Sequence, residues 1–190
     1  MSKNIFCIRH GLALHNVLFE QIGENAYNEY HDTPLLPYGY KQAKRCRETW
    51  EKIDDIELVL VSPLSRTLET VRVIFKYKNV EIIALDELIE YPHGDQICNK
   101  RKSKLELELL YPNINFTNIE YNKDETYSEI KETITKLKKR QEIFKNFLYK
   151  RKEKNIAIVS HSSWIKQLLF NEIDDESNEL QHCIPFAGKI

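Results

Sequence analysis

The strongest constraint in this chain is an alternation: a short run of apolar, often β-branched residues, then a longer segment with helical spacing. The runs are Asn4 to Ile8, Leu58 to Val61, Val80 to Ala84 and Asn155 to Ser160. Apolar residues fall at consecutive positions in these runs, as in strands buried on both faces. Helices are predicted over Tyr38 to Lys52, Pro63 to Phe75, Thr126 to Lys150 and Ser162 to Phe170. In the third, Ile130, Ile134, Leu137, Phe144 and Leu148 line one face. Residues 100–110 read either way. Leu105, Leu107 and Leu109 alternate with Glu106 and Glu108 as in a strand, while Leu110-Tyr111-Pro112 suits a helix stop. The β-then-α order predicts an α/β three-layer sandwich, a mostly parallel sheet with helices on both faces. With no internal repeat or low-complexity linker, one domain over residues 1–190 is expected.

Composition removes several function classes. Lys and Arg total 28 against 29 Asp and Glu, a net charge of −1 that gives no positive excess for a polyanion, so no nucleic-acid partner is expected. The five glycines, at 11, 23, 39, 94 and 188, frame neither GxxxxGK[ST] nor GxGxxG, which excludes nucleotide binding through those loops. No segment approaches the roughly 20 apolar residues of a membrane helix, and the apolar stretch in MSKNIFCIRHG is shorter than a secretory core. A cytoplasmic protein without a membrane partner is expected. Cys7, Cys46, Cys98 and Cys183 lack CxxC spacing and read as reduced thiols.

Reactive residues follow the predicted strands. Arg9 and His10 come after the first, Ser62 and Arg66 after the second, Glu87 and Glu90 after the third, and His161 after the fourth. In open α/β sheets that edge is where ligands bind. Two guanidinium groups beside the histidines would repel a divalent cation, and there is no HExxH, so neither a metal nor another cofactor is expected. The group suits a phosphomonoester: arginine forks bind phosphate oxygens in bidentate fashion and stay charged. A cysteine nucleophile would need arginine six positions on, where the four cysteines have Ala13, Lys52, Lys104 and Lys189, and DxD is absent. Histidine is left as the candidate nucleophile.

Taken together, Arg9-His10-Gly11, Asn16, Asp32-Thr33-Pro34-Leu35, Gly39, Gln42-Ala43, Ser62-Pro63-Leu64-Ser65-Arg66-Thr67 and Ser160-His161-Ser162 resemble the histidine phosphatase superfamily, the phosphoglycerate-mutase-like fold. Residues 98–103, Tyr111-Pro112 with Phe116, and 151–154 resemble its small plant and fungal members. The resemblance implies that His10 attacks phosphorus and carries a transient phosphohistidine. Arg9 and Arg66 would hold the phosphate, His161 would stabilise the transferring group, and Asn16, Ser62 and Ser162 would join the pocket. It also implies a carboxylic acid shortly before a glycine, which selects Glu90, four before Gly94, with Glu87 in reserve. Leu12 departs from the pattern, since many members carry Glu or Gln there.

The expected function is a metal-independent phosphomonoesterase acting on a small phosphorylated metabolite or phosphoprotein. The alternative is a catalytically weak phosphate-binding protein on the same scaffold, and mutase activity ranks below hydrolysis. Lys100 and Arg101, with Lys102 and Lys104, are candidates for a second anion, with Cys98 beside them as a thiol of lowered pKa. The basic runs 138–140 and 150–154 read as solvated surface. His15, His31, His93 and His182 read as loop histidines, His15 within reach of substrate. Glu172, Asp174, Asp175, Glu176 and Glu179 read as an exposed turn.

Overall fold

The computed structural model describes residues 2–173 and 178–190. Its strands are β1 (Asn4–Arg9), β2 (Leu58–Val61), β3 (Glu81–Ala84), β4 (Asn155–Ser160) and β5 (Pro185–Lys189). Its helices are α1 (Leu14–Ile22), α2 (Asn25–Glu29), α3 (Pro37–Thr49), α4 (Ser65–Ile74), α5 (Lys104–Leu110), α6 (Ile134–Lys150) and α7 (Ser162–Phe170). The sheet order is β3-β2-β4-β1-β5, parallel except for β5, which runs antiparallel along β1. The α/β class and the mostly parallel sheet expected from sequence are those of the structure.

Successive side chains of a strand point to opposite faces, so a continuous apolar run feeds two cores. Ile8, Val59, Val61, Ala157 and Val159 pack with Ala43 and Cys46 of α3 and Leu68, Val71 and Ile74 of α4. Ile5, Cys7, Leu58, Leu60, Ile156 and Ile158 pack with Leu137, Phe144 and Leu148 of α6 and Trp164 and Ile165 of α7. Both layers are therefore encoded in the same short strands.

Several boundaries differ from the sequence reading. The helix expected from Thr126 begins at Ile134: Thr133 caps it by accepting the Lys136 N–H, and Ile130 lies before the cap, 75% exposed. Residues 104–110 are helical, started by a capping box in which Ser103 Oγ accepts the Glu106 N–H and Glu106 accepts the Ser103 N–H. The sequence reading has no counterpart for α1, α2 or β5. The first two are short, and β5 is an edge strand with Ala187 exposed and Gly188 half-covered.

Candidate active site

Each strand end is fixed by a bond that continues the sheet. The His10 N–H donates to the Ser160 carbonyl (3.0 Å), the Ser62 N–H to the Val159 carbonyl (3.0 Å), and the Cys183 N–H to the Arg9 carbonyl (2.9 Å). Gly11 can follow His10 because it faces Gly39 of α3. A Cβ on Gly11 would stand 2.6 Å from the Gly39 carbonyl oxygen, closer than packed atoms approach. The Gly11 N–H meanwhile donates to Thr70 Oγ1 of α4 (3.0 Å).

His10 is buried, with Nδ1 2.8 Å from the Gly11 carbonyl oxygen. A carbonyl only accepts, so Nδ1 carries the proton and Nε2 of the neutral ring keeps its lone pair. Three imidazoles surround it: His161, His182 and His15, with ring centroids 5.2, 5.5 and 5.7 Å away. Burial, reinforced by the Arg66 guanidinium and by His161, holds His10 well below the usual histidine range. The ring is therefore neutral near pH 7.

Arg66 enters from the first turn of α4, which Asp32 pins. The Asp32 carboxylate accepts the Ser65 N–H, the Ser65 hydroxyl and Lys102 Nζ, each at 2.7 Å. Arg66 donates from Nη1 to the Cys98 carbonyl (2.8 Å) and from Nη2 to Asn99 Oδ1 (2.7 Å). Arg9 donates at 2.7 Å to the Leu180 carbonyl and to Glu179 Oε2. Among the described residues, Nε of both arginines and Nδ1 of His161 have no hydrogen-bond partner, although all three are buried. Buried polar groups are as a rule paired, and a guanidinium Nε–H is a donor suited to an anion.

Arg9, His10, Arg66 and Glu90 line one open cavity of about 680 Å³, with Asn16 on its wall. Asn16 Oδ1 accepts the Ala13 N–H (3.0 Å). Glu90 Oε1 accepts the Tyr91 N–H (2.7 Å) and, at the first turn of α7, the Trp164 N–H (3.3 Å). Arg140 of α6 holds this loop by donating to the carbonyls of Glu87 (2.8 Å), Ile89 (2.6 Å) and Glu90 (3.2 Å), and it pairs with Glu132 (2.8 Å). Burial raises the Glu87 carboxyl, but Glu87 does not line the cavity, and reach precedes acidity in choosing an acid. His161 and Ser62 stand outside the lining, His161 beside His10 with Nε2 2.8 Å from Ser62 Oγ. Burial and Arg66 hold His161 well below its ordinary value too.

The family model of the histidine phosphatase superfamily (branch 1) matches residues 5–183. This chain belongs to that superfamily. Among curated relatives of this histidine phosphatase superfamily member, phosphoglycerate mutase-like protein 1 of Arabidopsis thaliana is 30% identical over 98% of this chain and 75% of its own. The α-ribazole phosphatase of Shigella flexneri superposes with a TM-score of 0.62 at 23% identity, over 97% of this chain and 89% of the other. The ecdysone phosphate phosphatase of Bombyx mori, solved with tungstate, gives 0.63 at 16% identity, over 97% and 88%. These two likenesses establish the fold.

The superfamily member departs from several sequence expectations. Arg101 is no substrate ligand in this geometry: it lies outside the cavity, its guanidinium taken up by Asp86 and the carbonyls of Lys102, Tyr121, Asn122 and Lys123. Lys100 also lies outside, its Nζ 4.9 Å from the centroid of the Tyr127 ring. Lys104 Nζ donates to the Ile119 carbonyl, and Lys102 is paired with Asp32, so both are engaged within the chain. Ser162 Oγ accepts the Leu180 N–H (2.7 Å) and so supports the segment facing Arg9. Burial pushes the Cys98 thiol up to about 11, opposite to the expected direction. Arg140 is a half-buried clamp, against the expectation of solvated surface.

Other residues at the site carried no such expectation. Glu179 lines the cavity and pairs with Arg9, whereas Asp174, Asp175 and Glu176 of the same expected turn lie outside the described residues. His182, read as a loop histidine, lines the cavity and donates from Nδ1 to the His10 carbonyl (2.6 Å). Its sequence signal is slight, a lone histidine just before an edge strand.

Proposed function

We propose that the chain is a phosphomonoesterase that works without metal through a phosphohistidine on His10, with a phosphorylated metabolite or phosphoprotein as substrate in the cytoplasm. The observation that carries the proposal is the orientation of His10. Its Nδ1–H is committed to the Gly11 carbonyl, so the lone pair on Nε2 is the reactive position, in a cavity shared with two arginines. Nε2 forms the bond to phosphorus as the P–O bond to the leaving oxygen breaks. Arg9 and Arg66 offset the charge on the phosphoryl oxygens, and Glu90 donates its proton to the leaving oxygen. The imidazolium keeps its Nδ1–H bond to Gly11. In the second step the Glu90 carboxylate takes a proton from water, whose oxygen attacks phosphorus and returns the electron pair to Nε2. Glu90 then regains the acid form and His10 the neutral one.

A specific observation favours the alternative of a phosphate-binding protein with weak turnover. The outer nitrogens of both arginines already bond to groups of the chain, and an incoming phosphate must displace or share these bonds. Hydrolysis of an aryl phosphate in EDTA by wild type and His10→Ala separates the readings. A loss of at least about 1,000-fold is expected in the variant, the scale of losing a covalent catalyst. Equal rates would rule out the histidine nucleophile, and acid-labile label on His10 after rapid quenching would identify the intermediate.

A further inference from the structure

The part of the cavity beyond the phosphate site is built from α1, α2 and the loop after β3. A run of rings leads outward from the nucleophile. The centroid of His15 is 5.7 Å from that of His10, Tyr27 is 6.0 Å from His15, and Phe19 stacks on Tyr27 at 5.1 Å with an interplanar angle of 20°. Leu12 and Tyr91 add further apolar surface to the lining. Two exposed carboxylates, Glu20 and Glu24, stand on the same wall next to Phe19. Among the described residues that line the cavity there is no lysine, and no arginine other than Arg9 and Arg66, while four are glutamates. One of these, Glu179, already offsets Arg9. A phosphoryl group therefore meets the two guanidinium groups, and the remainder of a substrate meets rings and negative charge.

From this division we infer that the site selects phosphomonoesters whose alcohol carries a flat ring and is cationic or uncharged, and discriminates against those carrying a second anion. Glu20 and Glu24 are the residues that set the preference. The inference rests on the phosphomonoesterase reading and specifies its substrate class. An ammonium group on the ring gains attraction from the two carboxylates and from the faces of Tyr27 and Phe19. A carboxylate or second phosphate at the same place finds no cation and is repelled. One partly screened unit charge a few ångströms away changes affinity by about tenfold.

Three aryl phosphates of matched shape test this: phenyl phosphate, 4-(aminomethyl)phenyl phosphate and 4-carboxyphenyl phosphate. At low ionic strength kcat/KM should be highest for the ammonium compound and lowest for the carboxylate, spanning about tenfold or more. That ratio should shrink at least about fivefold in the Glu20→Gln, Glu24→Gln double variant, and it should also shrink in high salt. A flat or reversed order in the wild type, or a ratio unmoved by the double variant, overturns the inference. Should wild type turn over none of the three above the level of His10→Ala, the phosphomonoesterase reading fails. The corresponding benzylphosphonates, which cannot be hydrolysed, then carry the test by calorimetry. The same order of Kd supports charge selection, and a flat order, a reversed order or no binding overturns it.

Discussion

The chemistry turns on where single atoms are left without partners. Nε2 of His10 is set free because Nδ1 is tied to the carbonyl of Gly11, and that carbonyl is in place because Gly11 packs on Gly39. Gly11→Ala should therefore cost more than about 1 kcal/mol of stability, as overpacking does. It should also lower kcat/KM by about 100-fold if the ring moves by an ångström. Denaturation and steady-state kinetics check the pair, and wild-type values in both would show that the close approach is dispensable. Cys98 gives a second residue-scale prediction: with its thiol raised by burial to about 11, it should resist iodoacetamide at pH 8 until the protein unfolds. Rapid labelling of the native protein would contradict that environment. The convergence of Arg9, His10, Arg66 and Glu90 was legible in the sequence because each follows a strand whose pattern is strong. His182 and Glu179 were not, because the approach to β5 carries a weak pattern, and His15 was placed near the substrate but in a loop, because the pattern of α1 is weak. The role of Arg101 escaped for another reason: the partners of a buried cation are set by loops that come together only in the fold.

Elements place Glu90, the proposed acid, as much as the sheet does. Arg140 on α6 reaches across to three carbonyls of the loop that bears Glu90 and to the carboxylate of Glu132. Arg140→Leu would remove the donor from these part-buried acceptors, and a loss of about 1–3 kcal/mol in chemical denaturation is expected, the scale of leaving a hydrogen-bonded group unsatisfied. Activity should fall further than the folded fraction explains, since the loop would lose its anchor, and a change confined to stability would separate the clamp from the chemistry. This helix also shows the limit of pattern reading. Ile130 has the right spacing for its apolar face, but the Thr133 cap fixes the start at Ile134, four residues later, and capping geometry outranks periodicity at a boundary.

At the scale of the whole molecule, four imidazoles have lowered pKa values: the buried His10, His15 and His161, and the half-buried His182, brought down to about 4 chiefly by desolvation. In the unfolded chain each takes up its proton near the usual 6.5. Below that pH the unfolded state binds more protons than the folded one, so stability falls as pH drops. It is fully present above about 6.5 and, for His182, is lost down to about 4. Melting temperature should accordingly decline steadily between pH 7 and pH 4.5, and a flat profile would show that these rings are solvated. The strand order carries a temporal consequence as well. The strand that presents His10 lies between β4 and β5, so its first residues pair with partners about 150 and 185 positions downstream in the chain. During synthesis His10 emerges first and both neighbours of its strand emerge last. Closing loops of that length carries a large entropic cost and comes late in folding. A nascent chain therefore holds every residue of the Arg9-His10-Gly11 motif long before the strands on either side of it exist.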